Sequence, residues 1–311
     1  MMHPHPFGLS TAWNGTRHTS MAALLEENLE LGFRRLEAYC HWTPDQLAEL
    51  GREARSRDME ITSLHGPCPV PTEPNGTRGR WGDWLASTNE ADRLYAVDAM
   101  RRTVDAAADL GARAIVIHLG TTGYVSRQRQ IFDAIGREGR ESDAVRRMVA
   151  DALREREARK GAPLDAAIQS IRTIGEHAAG STVKLGVECR DWYQEIPSLD
   201  EFQAVLDACD GLPVYYWHDA GHGQKLQNAA FLEHEEYLRR YGDRMVGMHV
   251  HDTVADRDHL APGTGDTDLA MLARYMRPGL ILTFELKATV PSADIVPALG
   301  VMRDLGITWT D

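Results

Sequence analysis

An α/β fold of the (β/α)8 barrel type, with a helical insertion after the fourth strand, is predicted by three features of this 311-residue sequence. Eight short apolar runs alternate with amphipathic stretches, which is the count of a closed barrel of parallel strands and outer helices. Six of those runs stop at a histidine or a carboxylate: His65, His118, Glu188, Asp219, His249 and Glu285. The rival architecture, an open doubly wound sheet, usually carries a Gly-rich phosphate turn after its first strand. Phe7-Gly8-Leu9-Ser10-Thr11 contains no such turn.

Phe7 to Thr11 begins the series, followed by a helix from Thr19 to Leu31 with Met21, Leu24, Leu25 and Leu29 on its apolar face and a stop signal at Gly32. Arg34 to Ala38 reads as strand two, and Pro44 to Arg57 as its helix, with Pro44 in the first turn. Met59 to His65 is strand three. A Pro/Gly-rich loop, Pro67 to Trp84, leads into a long helix from Asn89 to Leu110 and then strand four, Ala112 to His118. Residues 122–160 are an Arg-rich insertion whose acids and bases recur at helical spacing, as in a solvated, salt-bridged helix pair. Both the loop and the insertion have the length of a lid or a subunit contact. Pro163 to Ala179 resumes the helical pattern, and strand five runs from Val183 to Glu188 with a helix from Ser198 to Cys209 behind it. Strand six is Val214 to Asp219, strand seven Met245 to His251, and strand eight Leu280 to Glu285. The reading is of one domain spanning residues 1–311.

The hydrophobic fraction of 43% and charged fraction of 26% are those of an ordinary globular protein. A net charge of -12 repels polyanions, so no nucleic-acid partner is expected. Cys40, Cys68, Cys189 and Cys209 form no CxxC pair, which excludes a zinc ribbon or thioredoxin-type motif and fits a reduced, cytoplasmic setting. The opening MMHPHPFGLST lacks the pattern of a signal peptide, and nowhere do about eighteen apolar residues run together, so neither secretion nor a membrane association is expected.

Alternation along a barrel strand sends every second side chain inward, and catalytic groups sit at the strands' carboxyl ends. In strand five Val183, Leu185 and Val187 share one face and Lys184, Gly186 and Glu188 the other, which points Glu188 inward at the tip. His249 and His251 share a face opposite Met248 and Val250, and Glu285 shares one with Lys287. Two glutamates, an aspartate and an imidazole gathered in a barrel mouth need a cation between them, because buried like charges cannot all stay ionised. An oxygen-rich set with one histidine suits Mn²⁺, Mg²⁺ or Co²⁺, and further imidazoles make Zn²⁺ acceptable. Beyond strand seven, HVHDTVADRDHLAPGTGD adds Asp256, Asp258 and His259. Its Gly263 and Gly265 would serve either as backbone donors to a phosphate or as a turn before a helix.

On the stretches LGVECRDWYQEIPSL, WHDAGH, GMHVHD with DHLAPGTG, TFEL and DLGARAIVIHLGTT, nearly the whole chain resembles the xylose isomerase-like TIM-barrel superfamily, which includes sugar phosphate isomerases and epimerases and endonuclease IV. The resemblance implies that Glu188, Asp219, His249 and Glu285 are the ligands of a divalent metal, with His251 as an alternative to His249. It implies that His222 contacts substrate in the sugar enzymes or a further metal in the nuclease, and that His65, His118 and His259 occupy additional zinc positions of the nuclease. The nuclease pattern would place Asp two residues before His259, where Arg257 stands between Asp256 and Asp258. Substrate-facing candidates are therefore His65, His118, Arg190, His222, His251, Arg257, His259 and Lys287. Trp13, Tyr39 and Trp192 are candidates for the pocket wall.

The chemistry this implies is aldose-ketose isomerisation or epimerisation of a sugar or polyol through an enediolate, with Glu188 and Glu285 as acid and base on opposite sides. A dehydratase or lyase acting on a keto-sugar or keto-acid shares the first step. An endonuclease IV-like phosphodiesterase is a third reading, supported by the extra histidines and the Arg-rich insertion. A Schiff-base aldolase would need a neutral lysine, which a carboxylate cluster disfavours at Lys287. A homo-oligomer is compatible with all of these.

Overall fold

A computed structural model describes residues 5–71, 82–123 and 125–309. Eight parallel strands close into a barrel: β1 (Phe7–Ser10), β2 (Arg35–Ala38), β3 (Glu60–His65), β4 (Ala114–Ile117), β5 (Lys184–Glu188), β6 (Val214–Asp219), β7 (Met245–Val250) and β8 (Ile281–Phe284), with β1 pairing with both β2 and β8. The predicted fold class and all eight predicted strands are present, with ends that differ by a residue or two.

Helices cover the barrel between strands: α1 (Met21–Glu30), α2 (Pro44–Ser56), α3 (Glu90–Leu110), α4 (Gln128–Glu138), α5 (Asp143–Glu157), α6 (Gly161–Ala178), α7 (Glu201–Ala208), α8 (Ala220–Asn228), α9 (Glu235–Tyr241), α10 (Leu269–Ala273) and α11 (Ser292–Asp304). Caps set several of their starts. Thr43 and Gln46 form a reciprocal capping box ahead of Pro44, and Ser20, Asn89 and Ser142 each accept a backbone N–H of the following turn. No described helix is long and apolar enough to cross a membrane. All four cysteines are buried and none forms a disulfide.

The apolar side chains divide by parity. Val183, Leu185 and Val187 pack outward against the helices, while Ala114, Val116, Trp217, Val246 and Ile281 fill the barrel axis. Trp217 is the large plug of that interior. It fits because Gly186 and Gly247 present no side chain to it, and a Cβ on either would overlap the indole. Gly247→Ala is expected to cost about 1–3 kcal/mol of stability through overpacking, read as a lower urea midpoint at unchanged slope. Val246 and His249 both face the interior although three residues apart, which strict alternation forbids. The β6–β7 ladder slips by one residue between Tyr216↔Met245 and Trp217↔Gly247, and this bulge restores both to the inside.

The insertion is a helix pair, α4 and α5, as its charge spacing predicts, with surface ion pairs such as Arg127–Glu155 and Arg146–Asp143. It also has a buried anchor. Arg156 donates to both oxygens of Glu201 at 2.5 and 2.7 Å and to the Glu195 carbonyl at 2.9 Å. Gln128 bonds the Asp191 carbonyl and the Tyr193 N–H at 2.7 and 3.1 Å, so α4 braces the loop after β5. Arg156→Met would leave Glu201 buried without its partner, and a loss of about 3–5 kcal/mol is expected in chemical unfolding. In the wild type, burial raises the Glu201 pKa, but Arg156 holds it below the ordinary value. The pair's contribution is therefore present at neutral pH and is lost as pH falls through the folded-state value.

Candidate metal centre and active site

The carboxyl ends of β5, β6, β7 and β8 bring Glu188, Asp219, His249 and Glu285 together, with one donor atom from each within 4.8 Å of all the others and all four residues buried. His249 is the hub. Its Nδ1 lies 2.7 Å from Glu188 Oε1, 3.0 Å from Glu285 Oε2 and 3.4 Å from Asp219 Oδ2. Asp219 also caps α8, accepting the His222 N–H at 2.7 Å on Oδ1, so the strand-to-helix turn fixes its carboxylate.

Burial would lower the His249 pKa, yet the charges of Glu285 and Glu37 lift it well above the ordinary imidazole value. Burial would likewise raise Glu188, Asp219 and Glu285, but the neighbouring imidazoles hold each well below the usual carboxylate range. The cluster thus demands a positive charge among its oxygens. A divalent ion meets that demand, and a mixed set of three carboxylates and one imidazole fits Mn²⁺, Mg²⁺, Co²⁺ or Zn²⁺.

Two further donor groups flank this one. His65, His118 and Glu188 form the first, and His222, Asp258 and His259 the second, while Asp219, His251, His259 and Glu285 overlap the centre. His118 Nε2 lies 2.6 Å from Glu188 Oε2, and burial together with Arg190 drives its pKa down to about 3, so it is neutral. Arg190 donates to Glu188 Oε2 at 2.8 Å and is clamped by Glu195 at 3.1 Å. The His65 ring packs 4.8 Å from Tyr39 and 5.9 Å from His249, with Nε2 3.9 Å from Glu285.

His251 and His249 both face inward but do different things. His251 Nδ1 accepts the His259 backbone N–H at 2.9 Å, which makes Nε2 the protonated nitrogen that donates to Asp219 at 3.0 Å. His259 adopts a positive φ of 56°, a conformation rare outside glycine, and its ring then reaches both Asp258 at 3.1 Å and Glu285 at 3.3 Å. Burial would lower its pKa, but these two carboxylates raise it to about 10.

Several expectations change. The HVHDTVADRDHL segment forms a short hairpin, Asp252–Val254 against Arg257–Leu260. Its twist leaves Arg257 exposed and buries Asp258, which occupies the place beside His222 and His259 that residue spacing assigns to Arg257. Lys287 is turned to Asp258, donating at 2.6 Å, and Lys225 bridges Asp191 and Asp258 at 2.7 and 3.3 Å. Gly263 and Gly265 offer their N–H groups at 2.9 Å to the Asp252 carboxylate, which also takes the Thr267 N–H; the phosphate alternative is thereby filled from within. Trp13 is core, its indole N–H held by the Val290 carbonyl at 2.9 Å. Trp192 lies under Lys225, 4.9 Å from ring centre to ammonium. Of the Pro67–Trp84 loop, residues 72–81 lie outside the described residues.

A family profile described as xylose isomerase-like TIM barrel matches residues 25–304. The chain belongs to that family. A search of curated proteins returns no match. Among solved structures, this family member is similar to a D-tagatose 3-epimerase-like protein (18% identity, 96% of each chain covered, TM-score 0.68). It is also similar to a 3-keto-D-glucoside 4-epimerase from E. coli (15% identity, 97% of this chain and 100% of that one, TM-score 0.67) and to a D-allulose 3-epimerase from Methylomonas sp. (15%, 98% and 100%, 0.65). At these identities the likeness establishes the shared barrel.

Proposed function

We propose that the chain is a divalent-metal-dependent isomerase or epimerase of a sugar or polyol derivative. The observation that carries this reading is the pair Glu188 and Glu285, buried on strands separated by β6 and β7 and both meeting His249 Nδ1. Epimerase structures of the same barrel architecture support it. Glu188, Asp219, His249 and Glu285 would hold the ion. When bound, such an ion supplies Lewis-acid stabilisation of negative charge on adjacent substrate oxygens.

The chain's own groups do the rest. One glutamate takes the proton from the carbon next to the carbonyl and the other delivers one from the opposite side, which two carboxylates on different strands can do and one cannot. Arg190 and neutral His118 fix Glu188 from behind. His65, His222 and His259 ring the mouth and supply hydrogen bonds to substrate hydroxyls. His251, locked as an Nε2–H donor, keeps Asp219 ionised and oriented. Lys287 is tied to Asp258 at 2.6 Å, which argues against its use as a Schiff-base nucleophile.

Incubating the Mn²⁺-supplemented protein with a panel of aldoses, ketoses and polyols should give a stereoisomer of unchanged mass. Loss of water or of an aglycone would identify the lyase variant of the same first step. No conversion across the panel by protein that binds the ion would end the isomerase reading. The second reading, a phosphodiesterase, draws on the two flanking donor groups, which together with the centre could hold more than one ion. A net charge of -12 opposes it, and salt-sensitive cleavage of abasic duplex would establish it.

A further inference from the structure

We infer that Glu37, on β2 and far from the other site residues in sequence, is the positioning residue that presents His249 to the metal. Glu37 is fully buried and faces the barrel interior between Leu36 and Ala38, which pack outward. Its Oε2 lies 3.1 Å from His249 Nε2 and accepts the Ser63 hydroxyl at 2.9 Å, while Oε1 has no partner. A carboxylate facing one ring nitrogen makes that nitrogen the N–H. That leaves Nδ1, on the far side of the ring toward Glu188, Asp219 and Glu285, as the nitrogen that would give up its proton and offer a lone pair to a bound ion.

A buried carboxylate with one unpartnered oxygen is expensive to keep. Leu or Met would fill the space more cheaply, so the charge at this position has a use other than packing. Orientation of the imidazole and enrichment of its electron density, both of which strengthen a metal ligand, are that use. The ladder supports the placement: β2 and β3 slip register between Leu36 and Glu37, which sets Glu37 opposite Ser63. The inference rests on the reading that Glu188, Asp219, His249 and Glu285 hold a divalent ion.

The test is calorimetric titration of the metal-stripped full chain with Mn²⁺, comparing wild type, Glu37→Gln and Glu37→Met. Glu37→Met should weaken Kd by about 10–100-fold, with Glu37→Gln between it and wild type because an amide oxygen still accepts the Nε2–H. In zinc-loaded protein the wild type should show a downfield, slowly exchanging His249 Nε2–H proton that Glu37→Met loses. Thermal unfolding separates the alternatives, since a purely structural Glu37 would change Tm and leave Kd alone. Wild-type binding matched by both variants overturns this inference alone. A wild type that takes up no Mn²⁺ overturns the metal reading and this inference together.

Discussion

Glu188→Gln and Glu285→Gln are each expected to lower kcat by roughly 10²–10⁴-fold, the range that a positioned proton-transfer group contributes. The substitution keeps shape and removes both basicity and a charge. At Glu188 it also removes the anion that His118 and Arg190 hold at 2.6 and 2.8 Å, so that variant should lose metal affinity as well as turnover. Glu285 meets His249 and His259 at 3.0 and 3.3 Å and has fewer fixed partners, so more of its effect should fall on turnover. Because the two glutamates act in sequence within one turnover, each step failing without its own group, the double variant should be little worse than either single one. Steady-state kinetics with saturating Mn²⁺ separates these effects, and full activity in both single variants would remove the glutamate pair from the mechanism.

Stripping the metal is expected to destabilise the fold measurably. An ion present at about 100 times its Kd stabilises by about 2.7 kcal/mol, which for a chain of this size is a Tm difference of about 4 °C. The effect should depend on pH with a definite sign. His259 rises from 6.5 unfolded to about 10 folded, so its contribution is complete below pH 6.5 and is lost as pH climbs toward 10. His249 is raised as well and acts in the same direction. Metal-free protein should therefore weaken between neutral pH and pH 10, while the ion, which competes with those protons, should stabilise more as pH rises. Thermal melts with EDTA and with Mn²⁺ across that window check this. A metal increment that shrinks with rising pH would contradict it.

Much of the barrel was legible because its signals are local. Parity along Lys184–Glu188 places Glu188 correctly inside, and the strand ends at Asp219, His249 and Glu285 meet as their order requires. Residues whose role depends on a distant partner were not legible. Glu37 sits one residue before the end of a strand rather than at it, and its partner, His249, is 212 residues away. A search for any carboxylate inside an apolar run, Arg-Leu-Glu-Ala included, would have found it. Arg156 reads as one more charge on a solvated helix until Glu201 is seen beneath it. The exchange of Arg257 for Asp258 beside His259 follows from a hairpin twist and positive φ values at Ala255 and His259, which residue spacing does not encode.

Proton transfer at a metal-dependent centre is tested most directly by hydrogen exchange. Ketose and aldose substrates incubated with the protein in D₂O and Mn²⁺, and followed by proton NMR, should take up deuterium at the carbon beside the carbonyl. Uptake should stop with EDTA and in Glu188→Gln and Glu285→Gln. Metal-loaded protein that binds a sugar yet leaves every carbon-bound proton in place, or exchange that persists without the ion, would contradict the account.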